Sequence, residues 1–384
     1  MTPELSATDR AQARVGAQGR AAYAGFRSTI KAVGTGVRGS RDLTFAESRA
    51  ALCLLLAGDV SPAQTGAFLV AMRIKGESPT ELAGFTQALR DVCAPLHTTS
   101  ARTLVACAGA YDGVADAPNL SLAAGVVAAS AGAGIVLHCG DSLGPKHGVT
   151  VADVLGALGG PHRPSGEQST RMLETAGVTV VHAGESLPGW RELAAIRDEI
   201  GVRGPLHSAE KLVDYFGARR FVVGHTHSSY SERLLGALEL LGGERSVAVR
   251  GVEGSDMMRP GRPQAFEPGR ALELPQRMDS RITRPQPIDR SRGPQQAAEY
   301  SARLTTELVS GELKGPLAYT VALNAGLRLY AAGLVADTRD GLELAEAAVC
   351  DGGAQATLRA MLAAGAAGAA GAAGAAGAAG AGAF

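Results

Sequence analysis

Two polar stretches that each follow an apolar run carry residue types suited to binding an anion. The first is the loop from Ala108 to Asn119 in "LVACAGAYDGVADAPNLSLAAGVV", which contains Gly109 and Gly113 and leads into a predicted helix. Free backbone N–H groups and the positive end of a helix favour an anion at such a place. Asn119 and Ser121 would add neutral hydrogen-bond donors. The pattern predicts a phosphate site in this loop.

Two residues in the same loop favour a different interpretation. Tyr111 adds bulk and Asp112 adds a negative charge, which would repel a pyrophosphate unless a metal ion intervened. The loop has neither a GxGxxG fingerprint nor a Walker sequence. An ordinary turn between a strand and a helix therefore remains an alternative.

The second stretch is "HCGDSLGPKHGVTVADVLG", which also follows an apolar run. It places His138, Asp141, Ser142, Lys146 and His147 ahead of a predicted helix. A lysine binds phosphate as a compact point charge. Single histidines are more often structural than catalytic, but a polar cluster in a loop after a strand is typical of a binding or catalytic site.

Two further pairs of charged residues are candidates. Arg197 and Arg203, in "IRDEIGVRGPLHSAEKL", could clamp a carboxylate with parallel hydrogen bonds, or could make surface ion pairs. Glu253 and Asp256, in "RGVEGSDM", offer the hard oxygen ligands that Mg²⁺ prefers, although a solvated turn has the same composition.

Zinc and disulfide chemistry have little support. His225 and His227 form an HxH pair in "VVGHTHSS", but no acidic residue or cysteine lies nearby in the sequence, which favours a structural role. The five cysteines are odd in number and form no CxxC pair. Buried thiols in a reducing cytoplasm are the simplest interpretation.

The candidate residues from residue 103 onward lie on alternating strands and helices. Strands are predicted at 104–107, 135–138, 178–182, 220–224 and 246–251, and helices at 120–131, 152–158, 166–176, 187–200 and 231–241. This alternation predicts an α/β domain with a largely parallel sheet. Its ligands would bind at the carboxyl ends of the strands. A final helix pair is predicted at 318–332 and 338–350. The stretch before it, 257–295, is predicted as a long excursion or as irregular strands.

The residues before this domain predict helices only. Thr44, Ser61 and Ser78 are candidate N-caps, and proline follows the second and third of them in the first turn. We expect a flexible segment at 1–25, a helical domain at 26–98, an α/β domain at 99–362 and an Ala/Gly low-complexity tail at 363–384.

Composition limits the class of protein. The 384 residues are 46% hydrophobic, enough for a sizeable core, and the 37 basic residues equal the 37 acidic ones. No global field therefore draws the protein to nucleic acid or anionic lipid. The charged N-terminus has no apolar core of a signal peptide, and no stretch predicts a membrane span. A cytoplasmic protein with no membrane contact is expected.

Three segments carry a family resemblance: "LLAGDVSPAQTGAFLVAMRIKGESPTELAGFTQAL", "ADVLGALG" and "LNAGLRLYAAGLVADTRDGLELAEAAVCDGGA". In this order they resemble the anthranilate phosphoribosyltransferase family, also called glycosyltransferase family 3, over about residues 26–362. The resemblance implies a small helical domain beside a larger α/β domain of the nucleoside phosphorylase and phosphoribosyltransferase type, usually in a homodimer through the helical domains. It also implies an enzyme, a pentosyl transferase that moves a phosphoribosyl group from phosphoribosyl pyrophosphate to a small acceptor, with Mg²⁺.

The resemblance assigns roles to individual positions. The implied residues are Ala108, Gly109, Asp112, Gly113, Asn119, Ser121 and Lys146 for phosphoribosyl pyrophosphate, His138, Arg197 and His207 for the acceptor, and Glu253 and Asp256 for the metal. The active-site motifs are kept only in part. A GTGGD-like loop is "CAGAYDG" here, and a KHGN loop is "LHCG". These changes are typical of a divergent branch that lacks the intact pyrophosphate loop.

Three functional hypotheses follow. The first is a phosphoribosyl transferase whose acceptor, aromatic or otherwise, is open. The second is a non-catalytic nucleic-acid binder of the same fold, which would use Arg277, Arg281, Arg284, Arg290 and Arg292 and would weaken steeply with salt. The third is a regulatory or scaffolding dimer that binds a small anion without turnover.

Overall fold

Five parallel strands form the centre of the fold. The loops that follow these strands all begin at the same edge of the sheet. The computed structural model describes residues 25–36, 38–227, 229–275 and 293–367. The five arginines of the nucleic-acid hypothesis, nearly all of the expected N-terminal segment and most of the Ala/Gly tail lie outside these ranges. Within them, no helix is both long and apolar enough to cross a bilayer.

The N-terminal part is helical, as predicted. It contains α1 (25–34), α2 (Phe45–Leu56), α3 (Pro62–Lys75) and α4 (Pro79–Val92). Thr44 and Ser78 each form a reciprocal capping box with a glutamate three residues later. Such caps satisfy N–H groups that a helix start leaves free, and each contributes roughly 1 kcal/mol.

The sheet has the order β3-β2-β1-β4-β5-β6-β7. Its parallel strands are β1 (Leu104–Ala108), β2 (Gly134–Cys139), β3 (Val178–His182), β4 (Arg220–His225) and β5 (Arg245–Arg250). An antiparallel extension, β6 (Ala265–Glu267) and β7 (Arg270–Ala271), continues from β5. The predicted architecture, a helical domain beside a mostly parallel α/β domain, is confirmed.

Helices cover both faces of this sheet. They are α5 (Ser121–Ser130), α6 (Val151–Ala157), α7 (Gly166–Ala176), α8 (Ala183–Ser186), α9 (Trp190–Ile200), α10 (Leu206–Ala209), α11 (Tyr230–Leu240), α12 (Gly293–Val309), α13 (Pro316–Ala332), α14 (Thr338–Cys350) and α15 (Gly353–Ala366). One apolar core joins one face of the sheet to α5 and α12–α15. The other core joins the opposite face to α9–α11 and the N-terminal helices. The helical domain is therefore packed directly on the α/β domain.

Three predicted segments differ from the structure. The predicted helix at 187–200 begins only at Trp190, because Gly189 before it has φ +75° and lies so near Leu56 that a Cβ would be 2.0 Å from the Leu56 carbonyl oxygen. The stretch at 257–295, predicted as a long excursion or irregular strands, contains the short strands β6 and β7 and also the first residues of α12, a helix not predicted there. The helix α15 extends past residue 363, because Gln168 donates to the Gly365 carbonyl at 2.9 Å and Gly365 packs on Pro161.

Candidate functional site

The loops after β1 and β2 are joined by their backbones. Val114 and Val149 form an antiparallel bridge with N–H···O distances of 3.0 and 2.8 Å. Beside it, Gly113 has φ +73°, and a Cβ there would lie 2.1 Å from the Gly148 carbonyl oxygen. Only glycine permits this approach. Gly113 therefore has a structural role, bringing the first candidate loop onto the second.

The loops after β4 and β5 are joined in a similar way. The Gly251 N–H donates to the His225 carbonyl at 3.0 Å. A Cβ on Gly224 would lie 2.1 Å from the Ser255 carbonyl oxygen, so the second loop rests directly on the end of β4. Four loops that follow β1, β2, β4 and β5 thus converge at one edge of the sheet, as expected for an α/β binding site.

A chain of ion pairs links these loops. The Lys146 ammonium lies 3.4 Å from an Asp112 carboxylate oxygen and 3.4 Å from a Glu253 carboxylate oxygen. The Arg203 guanidinium contacts the other Asp112 oxygen at 2.6 Å. Three residues predicted for the site are therefore brought together, because Asp112 and Glu253 both contact Lys146. Asp112, whose charge argued against a phosphate, is neutralised by two cations.

Glu253 is hydrogen-bonded directly to the first loop. Its carboxylate accepts hydrogen bonds from the Asp116 N–H at 2.8 Å and the Ala115 N–H at 3.1 Å. The Lys146 ammonium also donates to the Glu253 carbonyl at 3.1 Å. Glu253 is one of the two non-glycine residues with positive φ in the described ranges, at +53°. The N–H groups of this loop are therefore already bound to an anion, the carboxylate of Glu253.

A small polar cavity of about 110 Å³ lies between the loops and the helical domain. Asp112, Arg203, His207, Lys211 and Glu253 are among its lining residues. The Lys211 ammonium donates to the Gly224 and Gly254 carbonyls at 2.7 and 3.0 Å. No carboxylate of the described residues lies within 4.0 Å of it. Burial lowers the pKa of Lys211 to about 8, and a ligand anion would supply the charge it lacks.

Asn119 and Ser121 are engaged within the protein. The Asn119 side chain donates to the Val149 carbonyl at 3.0 Å and accepts from the Ser121 N–H at 3.2 Å. The Ser121 hydroxyl donates to the Asp256 carboxylate. Both side chains therefore hold the start of α5 and the loop junction in place. Ala108 ends β1, and Gly109 lies above the Asp256 carboxylate, where a Cβ would be 3.3 Å from an oxygen.

Asp256 is half of a buried ion pair. Its second carboxylate oxygen accepts from the Arg328 guanidinium on α13, and both side chains are fully buried. The pair connects the loop after β5 to the helical layer on one face of the sheet. Since breaking a buried pair leaves an uncompensated charge, Asp256 is bound tightly to this partner.

The two residues predicted to bind Mg²⁺, Glu253 and Asp256, both have partners within the protein. Asp256 is held by Arg328 and Ser121, while Glu253 is held by loop amides and Lys146. In the described ranges, no group of three or more histidine, cysteine, aspartate or glutamate residues is arranged to hold a metal ion. Glu253 and Asp256 therefore do not fit a shared Mg²⁺ in this arrangement, and their role as metal ligands stays a prediction.

Arg197, predicted to face the acceptor, is instead paired inside the protein. Its guanidinium donates two parallel hydrogen bonds to the Glu210 carboxylate, at 2.9 and 3.0 Å. It also lies 4.8 Å from the centre of the Trp190 ring. The Arg197 and Glu210 side chains are 3% and 0% exposed, so no free guanidinium faces the cavity from this position.

The two predicted acceptor histidines are buried as well. His138 Nδ1 lies 2.7 Å from the Tyr111 hydroxyl, and burial lowers the pKa of His138 to about 3. His207 accepts from the Gly204 N–H through Nδ1 at 3.2 Å, and burial lowers its pKa well below the usual value. Both rings are therefore neutral near pH 7. His207 lines the cavity, whereas His138 packs behind it with Tyr111 and Tyr215.

Two site residues were missed by sequence reasoning: Lys211 and Glu210. Both lie in the quoted segment "GVRGPLHSAEKL", where only the arginine and histidine were considered. A signal was present, because adjacent charges flanked by Leu206, Leu212 and Val213 predict charged side chains in apolar surroundings. Buried charges of this kind require partners or ligands. The structural role of His225 and His227 stays a prediction: His225 Nδ1 lies 3.0 Å from the His227 carbonyl oxygen, and both residues line the cavity.

Comparison with known proteins agrees with this architecture. The model of the glycosyl transferase family helical bundle domain matches residues 27–93, and that of the glycosyl transferase family a/b domain matches residues 112–355. The anthranilate phosphoribosyltransferase of Rubrobacter xylanophilus is 33% identical, over 82% of this chain and 92% of its own. That of Myxococcus xanthus is 32% identical, over 88% of this chain and 99% of its own.

Solved structures give the same result. The anthranilate phosphoribosyltransferase of Thermus thermophilus has a TM-score of 0.70 at 30% identity, covering 84% of this chain and 96% of its own. The Saccharomyces cerevisiae enzyme, in complex with phosphoribosyl pyrophosphate and Mg, has a TM-score of 0.73, covering 89% of this chain and 98% of its own. At 17% identity the yeast structure supports the fold alone.

These relatives lend the nucleic-acid hypothesis no support. Two family domains in the expected order and relatives at about 30% identity over more than four fifths of the chain agree with the fold. The chain therefore belongs to the glycosyl transferase family of enzymes that combine a helical bundle domain with an α/β domain.

Proposed function

We propose that this enzyme transfers a phosphoribosyl group from phosphoribosyl pyrophosphate to an aromatic or other small acceptor. The observation that carries the proposal is the contact of Lys146 with both Asp112 and Glu253. It joins the loops after three parallel strands, and its two carboxylates, Asp112 and Glu253, line the polar cavity. The relatives that align over nearly their whole length are named as phosphoribosyltransferases, which supports the same reaction class.

In the proposed reaction, the bond from ribose C1 to pyrophosphate breaks and a bond from C1 to the acceptor nucleophile forms. The leaving pyrophosphate takes the bonding electrons, so negative charge develops on its oxygens. Lys211 and Arg203 line the cavity, and Lys146 contacts two of its lining carboxylates, Asp112 and Glu253. These three cations would stabilise that charge. Cations held in place before the reaction are effective because they need no reorganisation as the charge develops.

Arg197 has a different part in this proposal from the one that the sequence predicts. Its charge is already neutralised by Glu210, so it needs no acidic group from the acceptor. We propose that the pair is a positioning element. It fixes residues 201–211, which comprise the connection after α9, the helix α10 and the turn that follows, and which carry Arg203, His207 and Lys211 into the cavity. The acceptor itself is left open between aromatic and other small molecules.

The experiment is an acceptor screen with purified full-length protein, phosphoribosyl pyrophosphate and Mg²⁺. Release of pyrophosphate is measured with a panel of anthranilate, other aromatic amines and non-aromatic nucleophiles. We expect release that depends on one class of acceptor and that falls at least about a hundredfold, about 2.7 kcal/mol in barrier, in Lys211→Met. Lys211→Arg keeps the charge and should retain part of the activity. Absence of acceptor-dependent release across the panel would argue against the proposal.

We also propose a cytoplasmic homodimer formed through the helical domain. Ile74 and Val70 on α3 are 80% and 37% exposed, and an exposed apolar pair on one helix supports a protein contact there. All five cysteines are free, as is usual in a reducing compartment. Light scattering of the wild type and of Ile74→Glu tests the dimer. A wild-type monomer would contradict it.

A further inference from the structure

The Glu253 carboxylate occupies a position built for an anion. Its two oxygens accept from the consecutive N–H groups of Ala115 and Asp116, and the Lys146 ammonium lies 3.4 Å away. Two adjacent backbone N–H groups and a cation form a cradle that binds anions generally. The donors come from the loops after β1 and β2, while the carboxylate comes from the loop after β5. The anion is thus contributed by a separate segment.

The backbone at Glu253 aims this side chain at the cradle. Glu253 has φ +53° and ψ 23°, a left-handed conformation that a residue with a side chain rarely adopts. Gly254 follows with φ +83°. Together they turn the chain sharply after β5 and direct the carboxylate toward the β1 loop. The observed position depends on the cradle contacts to hold an unfavourable backbone conformation.

The Glu253 side chain also has room to leave. It lies on the wall shared by two cavities: the polar cavity of about 110 Å³ and a larger one of about 760 Å³. The larger cavity is lined by Arg259 and Arg262, which offer a carboxylate other cationic partners. The Glu253 side chain is 16% exposed, so its release does not require opening of the apolar core.

We propose that the Ala115–Asp116 amides and Lys146 form a phosphate-binding subsite in which Glu253 is a built-in competitor. A phosphate or diphosphate group carries more negative charge than a carboxylate and has the same kind of acceptor oxygens. It displaces Glu253 from the cradle when it binds. The inference deepens the proposed function, because it assigns the diphosphate of the donor substrate to a defined pair of amides.

The test measures inorganic pyrophosphate binding by calorimetry in the presence of a chelator, so that no divalent metal contributes. The protein is the full chain, as wild type, Glu253→Gln and Glu253→Ala. Both variants weaken the competitor, so we expect each to bind pyrophosphate at least about tenfold more tightly than the wild type. Adding Lys146→Met to Glu253→Gln should reverse most of the gain.

Glu267→Gln is the matched control. Glu267 is also a largely buried glutamate in an ion pair, at 12% exposure, but it lies on β6. Its substitution should leave pyrophosphate affinity unchanged. Equal or weaker binding by both folded Glu253 variants, as judged by their thermal unfolding, would overturn the inference. This outcome is separate from the acceptor screen. If the wild type is active in that screen but the Glu253 variants gain no affinity for pyrophosphate, the proposed function stands and the competitor role of Glu253 is wrong.

Discussion

Arg197 and Glu210 form a bidentate ion pair inside the protein, with both hydrogen bonds between 2.9 and 3.0 Å and both side chains almost fully buried. Thirteen residues separate them, across the connection from α9 to α10. An arginine that the family resemblance assigns to the acceptor is therefore occupied by a carboxylate from its own chain. This relationship supports the proposal that Arg197 positions the segment that follows it, while its predicted contact with the acceptor stays untested.

The first prediction concerns the stability of this pair. Glu210→Gln should lower the free energy of unfolding by about 3–5 kcal/mol, because it leaves the buried Arg197 charge uncompensated. Urea unfolding measures the change. The exposed pair Arg303 and Glu307 on α12 is the control, and Glu307→Gln should cost less than about 1 kcal/mol. Equal costs for the two substitutions would show that burial of the first pair has no energetic consequence.

The second prediction concerns Asp256 and magnesium. Because Asp256 is held by Arg328 and Ser121, Mg²⁺ alone should leave the thermal unfolding temperature of the wild type unchanged. Asp256→Asn should unfold at lower temperature with or without Mg²⁺, since Arg328 loses its partner. Differential scanning calorimetry measures both. A rise in the wild-type unfolding temperature with Mg²⁺ that Asp256→Asn abolishes would identify Asp256 as a metal ligand.

Much of the fold can be predicted from local sequence, whereas the pairings in the site cannot. Strand and helix periodicity and the caps at Thr44 and Ser78 are local signals, and the structure follows them closely. The partner of Asp256 lies 72 residues away, and the amides that hold Glu253 lie 137 residues or more away. No local pattern specifies such partners. The sequence therefore indicates which polar residues follow the strands, but it does not indicate which of their charges are neutralised by a distant residue of the same chain.

The burial of His138 illustrates the same limit. The predicted strand 135–138 and the predicted polar cluster both include His138, and the structure places it within β2, whose six residues are all buried. The apolar run "GIVLHC" contained the signal, because a histidine inside a fully apolar strand follows the strand into the core. Its neighbours Asp141 and His147 lie on exposed or half-exposed loop positions.

The third prediction is a pH dependence of folding from His138. Burial lowers its pKa to about 3 in the folded protein, against about 6.5 in the unfolded chain. The unfolded state therefore binds more protons between these values, so stability falls as pH decreases through this window. His138→Gln keeps an acceptor for Tyr111 but does not titrate. Urea unfolding as a function of pH should show a slope smaller by up to about 1.4 kcal/mol per pH unit than in the wild type. An unchanged slope would contradict a buried neutral His138.

The fourth prediction concerns Lys211 and the pH dependence of ligand binding. Burial lowers its pKa to about 8, so the free protein loses this positive charge as pH rises above that value. Affinity for phosphoribosyl pyrophosphate should be constant up to about pH 8 and then decline, by up to about tenfold per pH unit. In Lys211→Arg the decline should disappear, because arginine keeps its charge. Calorimetric titration with phosphoribosyl pyrophosphate below and above pH 8 measures the affinity. Identical pH profiles for the wild type and Lys211→Arg would show that the Lys211 charge does not contribute to binding.

The most direct test of a shared phosphate cavity is calorimetric titration of the full-length protein with phosphoribosyl pyrophosphate and Mg²⁺ at pH 7. The account predicts saturable binding to the wild type, weakened at least about tenfold in Lys211→Met and unchanged in Lys314→Met, an exposed lysine outside the cavity. Absence of heat at millimolar ligand, or equal affinity in the wild type and Lys211→Met, would contradict it.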